Sequence, residues 1–182
     1  MRHCCQSTRR AGPQAALAVL LASLAGCGGG RPVQPNAPEL AAFLEVSLPA
    51  RVRILTWTKP VSLRGDGTAD AVEVVLAAYD ACDDPTKLVG TLALEVLTRR
   101  TGQHIATQVA ARSVELRTPA AIRAEREQPS GFYRFTVPTR AGKLAPGQYV
   151  VTARLQYEGA PARLDEFALS YDGTPVPPAR TR

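Results

Sequence analysis

The sequence predicts an all-β fold, an antiparallel β-sandwich of about seven short strands with one short helix. Three observations carry the prediction. From Arg51 onward, apolar residues recur with a period of two. Clusters of Gly, Pro and Asp cut the alternating runs into short lengths. A hydrophobic content of 45% over 182 residues is enough to form the core of one domain plus targeting and linker segments.

The chain opens with Arg2, Arg9 and Arg10, followed by an apolar run from Ala15 to Leu24 broken only by Ser23, and then by the small residues Ala25 and Gly26. This is the layout of a signal peptide over residues 1–26. The apolar run is about ten residues long, half of the roughly 20 that a membrane-spanning helix needs. Residues 27–38, rich in Gly and Pro, read as a flexible linker. Glu39 to Leu48 is ambiguous: Leu40, Phe43 and Leu44 have helical spacing, whereas Leu44, Val46 and Leu48 alternate as in a strand.

The sandwich is expected over residues 39–172. Val52 and Ile54, with Trp57 after a switch of face, mark a first strand that ends near Thr58, before Pro60, a residue admissible only at an edge or bend. Arg64-Gly65-Asp66-Gly67 is a turn, and Ala71 to Tyr79 is apolar enough to be a central strand. After a turn at Asp83-Asp84-Pro85, Leu92, Leu94 and Val96 form a third strand that ends at Arg99-Arg100-Thr101-Gly102. A fourth, less regular strand covers His104 to Ala110 and Ser113 to Leu116. Thr118 as N-cap and Pro119 at the first helical position open the one helix, which runs to about Glu127. Tyr133 to Val137, Tyr149 to Tyr157 and Phe167 to Tyr171 supply three further strands, the last two joined by a turn at Glu158-Gly159-Ala160-Pro161. The tail 173–182 is Pro-rich and is expected to be disordered.

Two stretches resemble known families. Leu24-Ala25-Gly26-Cys27 is similar to the lipobox of bacterial lipoprotein precursors. That resemblance implies a diacylglyceryl group on the Cys27 sulfur, cleavage before Cys27, and acylation of the new amino terminus. Gly28 stands where many inner-membrane lipoproteins carry Asp, so the resemblance implies a cell-envelope protein at the outer membrane, attached through lipid at Cys27. Leu144-Ala145-Pro146-Gly147-Gln148-Tyr149 resembles the L-x-P-G-x-Y strand start of transthyretin-like and other Ig-like sandwich modules. It implies a fold and no particular activity.

Removal of the leader takes away three of the 22 basic residues, leaving 19 against 16 acidic ones, a net charge of +3 in place of +6. A concentrated basic face is not expected, which argues against a nucleic-acid partner. Cys4 and Cys5 leave with the signal and Cys27 takes lipid, so Cys82 is left single, expected to be a buried small hydrophobe.

Chemistry is sparsely represented. His104 is the one imidazole after the leader, with neither a G-x-S-x-G elbow nor a Cys beside a base, so no catalytic set and no cofactor are expected. Asp66 and Asp70 are a weak calcium candidate, short of the ligands a calcium loop needs, and no metal is expected. Asp83/Asp84 and Asp165/Glu166 read as solvated pairs. Trp57, beside Thr56, Thr58 and Lys59, has neighbours that suit stacking on a sugar ring, although the sole Trp of a sandwich is expected in its core. The resulting expectation is a non-enzymatic binding or assembly module directed at other envelope proteins. The alternative is a glycan- or peptidoglycan-recognition module using Trp57 and the basic loops at Arg99, Arg100 and Arg140.

Overall fold

The structure is a computed structural model and describes residues 37–99 and 106–180. The leader, Cys27, nearly all of the linker, Arg100 and His104 lie outside the described residues. The ambiguous lead-in is a helix, α1 (Ala37–Ser47). Its Ala-rich composition and Glu39 in the first turn favour helix over strand, and Pro49 prevents its continuation.

Two antiparallel four-stranded sheets form an all-β sandwich. In the first, β3 (Ala71–Tyr79) is central, as its nearly unbroken apolar run requires, and every residue from Ala71 to Ala78 is buried. One flank of β3 holds both β1 (Arg51–Ile54) and β2 (Lys59–Val61), and the other holds β6 (Tyr133–Pro138). The first strand, predicted to run to about Thr58, ends at Ile54, and β2, beyond its predicted end, continues the same edge of the sheet. Residues 55–58 bulge out of the ladder, tied back where Leu55 N–H donates to the Val75 carbonyl (2.8 Å) and Val75 N–H donates to Thr58 Oγ1 (3.1 Å). β2 is not among the predicted strands and makes eight where about seven are predicted. Pro60 sits on this edge, where a missing N–H costs least.

The second sheet has the order β5-β4-β7-β8, with β4 (Gly90–Thr98), β5 (Thr107–Leu116), β7 (Gly147–Gln156) and β8 (Arg163–Tyr171). β5 is continuous, and its expected irregularity is a register shift opposite Val96/Leu97. Between the sheets lie Val72, Val74 and Leu76 from β3, Phe135 and Val137 from β6, and Leu92, Leu94, Val151 and Leu155 from the second sheet. Tyr133 is also buried there, its hydroxyl accepting from Leu88 N–H (3.1 Å). Leu144 and Tyr149 of the L-x-P-G-x-Y stretch are buried as well, and the Tyr149 hydroxyl donates to the Ala145 carbonyl.

Both seams of the sandwich are stitched. On one side Ile54 N–H at the β1 edge donates to Asp165 Oδ2 of β8 at 2.6 Å, so Asp165 joins the sheets and is not the solvated group expected from its neighbour Glu166. On the other side Arg140 N–H donates to the Val109 carbonyl (2.9 Å) and Arg112 Nη1 donates to the Thr136 carbonyl (3.0 Å). Such seams occupy the edge groups that an open sheet would offer to other chains.

Helix α2 (Pro119–Glu125) begins as its sequence dictates, with Thr118 Oγ1 accepting from Ala121 N–H at 3.2 Å, and bridges β5 to β6. Two further expectations fail. The tail is ordered through residue 180: Ser62 N–H donates to the Pro177 carbonyl (2.9 Å), Ala179 N–H to the Ser62 carbonyl (2.7 Å), and Val176 packs against the core. Cys82 is exposed, because Asp80 Oδ1 accepts from the amides of Cys82 (2.9 Å) and Asp84 (3.0 Å) and holds the β3–β4 turn outside the core.

Candidate functional site

The outer side of the first sheet carries the densest grouping of functional side chains. Alternation along β3 sends Val72, Val74 and Leu76 inward and Glu73 and Val75 outward, and along β6 it sends Tyr133 and Phe135 inward and Arg134 and Thr136 outward. Trp57 belongs to the bulge beside Val75, and Phe132 precedes β6 on the far flank of β3. Flanking strands lie roughly 10 Å apart across a central one. The two rings close that span, meeting edge to face with centroids 5.3 Å apart. Trp57 is thus not the core anchor expected of a sole Trp: it is 56% exposed, with one edge on Phe132. The core role falls to Tyr133 and Phe135, whose rings stack at 6.4 Å.

Beside this aromatic pair, residues 126–132 fold into a tight loop. Glu127 N–H donates to the Phe132 carbonyl (2.7 Å), and Gly131 N–H donates to the Glu127 carbonyl (2.9 Å). Gly131 has φ +75°, and the Arg126 guanidinium lies 3.0 Å from where a Cβ would sit, so a side chain here would be both strained and in the way. Arg126 Nε donates to the Gly131 carbonyl (3.1 Å).

A cleft of about 440 Å³ opens between this loop, β6 and the tail, lined by Glu125, Arg126, Glu127, Arg134, Thr136 and Arg180. Its charges form a chain. Glu73, buried on β3, accepts from Arg134 Nη1 at 2.6 Å; Arg134 Nη2 donates to Glu127 Oε2 at 3.1 Å; Arg180 Nη1 donates to Glu127 Oε1 at 3.0 Å. The Arg134 hydrogen bond is the largest influence holding the Glu127 carboxyl below its ordinary value of 4.5, against the opposing effect of burial. At the inner wall Arg112 Nη2 donates to Glu125 Oε1 (3.2 Å), and its guanidinium lies 5.7 Å from the centre of the Phe135 ring. The volume falls in the range of small-ligand sites, and the walls offer planar donors and acceptors.

The other predicted residues lie elsewhere. Asp66 and Asp70 are in the β2–β3 turn, where their carboxylates serve the chain's own donors. Asp66 Oδ1 accepts from Thr68 N–H (2.8 Å) and Ser62 Oγ (3.1 Å), and Asp70 accepts from Leu63 N–H (2.6 Å) and Arg64 Nε (3.1 Å). The Thr68 amide is the main cause of a lowered Asp66 pKa. Among the described residues no three His, Cys, Asp or Glu side chains gather where they could hold a metal. Arg140 follows the last residue of β6 while Phe132 precedes the first, a separation of roughly 25 Å at 3.3 Å per residue. The basic loop at Arg140 is therefore not brought to Trp57. Three arginines that the sequence did not single out stand in its place: Arg126, Arg134 and Arg180. The alternation of β6 signalled that Arg134 points outward, and nothing local signalled its partners.

The chain matches no protein-family model, and no curated protein is similar to it.

Proposed function

We propose that this chain is a lipid-anchored protein of the bacterial cell envelope, held to the outer membrane through Cys27, whose β-sandwich is a non-enzymatic binding or assembly module. The observation that carries the reading is Leu24-Ala25-Gly26-Cys27 behind a charged start and an apolar run of the right length, followed by Gly- and Pro-rich chain up to α1. The stretch between Cys27 and Ala37 is a tether and the sandwich is its cargo. Fractionation of cells making the wild type and Cys27→Ala, with mass spectrometry of the amino-terminal peptide, tests this. The wild type is expected in the membrane pellet with a diacylglyceryl adduct on Cys27, and the variant in the soluble fraction. A wild-type Cys27 without lipid would end the reading.

Recognition of a glycan is the second reading, favoured by the exposed Trp57 ring, which meets Phe132 at the end of the loop whose Arg126 and Glu127 line a cleft with Arg134 and Arg180. Sugar rings stack on such faces while their hydroxyls bond to planar donors and acceptors. Because Trp57 is exposed, Trp57→Ala is expected to forgo only the ring–ring contact, about 1 kcal/mol, and to leave the domain folded. Sedimentation with insoluble peptidoglycan is expected to carry down the wild type and not this variant. Equal sedimentation of both would remove Trp57 from the reading.

A further inference from the structure

Every carboxylate in or directly behind the cleft is already matched to an arginine. Glu73 is held by Arg134, Glu125 by Arg112, and Glu127 by both Arg134 and Arg180, with Ser130 Oγ donating to Glu127 as well (3.2 Å). Four guanidinium groups against three carboxylates leave one positive charge over, and it belongs to Arg126. Its Nε donates to a neutral acceptor, the Gly131 carbonyl, and among the described residues no carboxylate pairs with it. Neither of its Nη groups donates to a described residue, and neither is sealed from solvent. Thr136, outward on β6 in the same cleft, gives its carbonyl to Arg112 while its hydroxyl bonds to no described residue.

We infer that this cleft binds the carboxylate of an acidic saccharide, with the Arg126 guanidinium on the carboxylate and the Thr136 hydroxyl on a ring substituent. The inference rests on the glycan reading above and names the class of glycan. A guanidinium presents parallel N–H groups that match the two oxygens of a carboxylate. The bond from Nε to the Gly131 carbonyl constrains this group before a ligand arrives, which lowers the ordering cost of binding. A cationic ligand meets carboxylates that already accept from arginines, and a neutral one leaves the Arg126 charge unmatched. Two sources supply the required chemistry, a carboxylate on a pyranose: a uronic acid of a polysaccharide, or the lactyl group of N-acetylmuramic acid.

The test is calorimetry on the full chain in a neutral detergent. The probes are trigalacturonate, its uncharged methyl ester, the disaccharide of N-acetylglucosamine with N-acetylmuramic acid, and acetyl-D-alanine. At least one acidic saccharide is expected to bind about tenfold or more tightly than the ester, and to weaken as salt rises. Whichever acidic saccharide binds tighter identifies the source, and either result supports the inference. Arg126→Gln is expected to reduce the acid to the affinity of the ester. Arg123→Gln, exposed on α2 and outside the cleft, is expected to bind as the wild type does. The comparison of acid with ester needs no variant, so it decides the matter even where Arg126→Gln does not fold. Equal binding of acids and ester overturns this inference and leaves the glycan reading standing. Acetyl-D-alanine binding as tightly as the acidic saccharides overturns it in favour of a peptide carboxylate. No binding of any saccharide overturns it, and the glycan reading falls as well only if the wild type also fails to sediment with peptidoglycan.

Discussion

Glu73 is the residue whose position is hardest to explain from its neighbours in sequence, because it lies within the apolar run of β3 and is 2% exposed as a side chain. Arg134, 15% exposed, resolves it by a 2.6 Å contact from the adjacent strand. Removing one member of a buried pair strands the other charge, typically at a cost of about 3–5 kcal/mol, whereas replacing both can be nearly neutral. Arg134→Met is accordingly expected to lower the urea midpoint steeply, and Arg134→Met combined with Glu73→Met to recover most of the loss. Equal loss in the single and double variants would show that the pair contributes packing alone. Alternation in the sequence separates Arg134 from the inward Tyr133 and Phe135, while the apolar run of β3 gives no such signal for Glu73. It could not pair them, because the pairing depends on the register in which Val75 lies opposite Arg134. Trp57 was misplaced for a related reason: its chemistry suits both a core and a surface, and the bulge of residues 55–58 decided between them.

The elements follow local signals wherever those signals are strong. Thr118 and Pro119 start α2, and the alternation in β4, β6 and β7 matches their burial one residue in two. The tail is the element whose order local signals do not reveal. Its prolines give it no periodicity, and its partners are backbone groups of a distant turn: Val176 N–H donates to the Gly67 carbonyl at 3.0 Å, and Gly67, at φ +81°, has Pro175 3.2 Å from its absent Cβ. Deleting the chain after Asp172 is expected to expose the Ser62 amide, which now donates to the Pro177 carbonyl, and to lower the thermal midpoint. Hydrogen exchange checks it: Ser62 should lose protection while Leu76, in the central strand, keeps its own. Unchanged protection at Ser62 would mean that the tail adds no order to that edge. The same deletion removes Arg180 from the cleft, so the tail also forms one wall of the candidate site.

At the scale of the whole molecule, the two sheets meet along a core drawn from both and are tied at both seams, so a domain with no disulfide among its described residues still closes its edges. The reading of a lipid-anchored module joins two kinds of information that differ in origin. The resemblance of Leu24-Ala25-Gly26-Cys27 to a lipobox is carried by a linear stretch, and so are the strand periods, the turn residues and the N-cap of α2; each is set by residues next to one another in the chain, and each could be read without a fold. The outward Trp57, the exposed Cys82, Asp165 on the seam, the Glu73–Arg134–Glu127–Arg180 chain and the docked tail were decided only by the tertiary structure. They depend on register, on a bulge and on which edges face each other, and those are relations between segments tens of residues apart that no local pattern encodes.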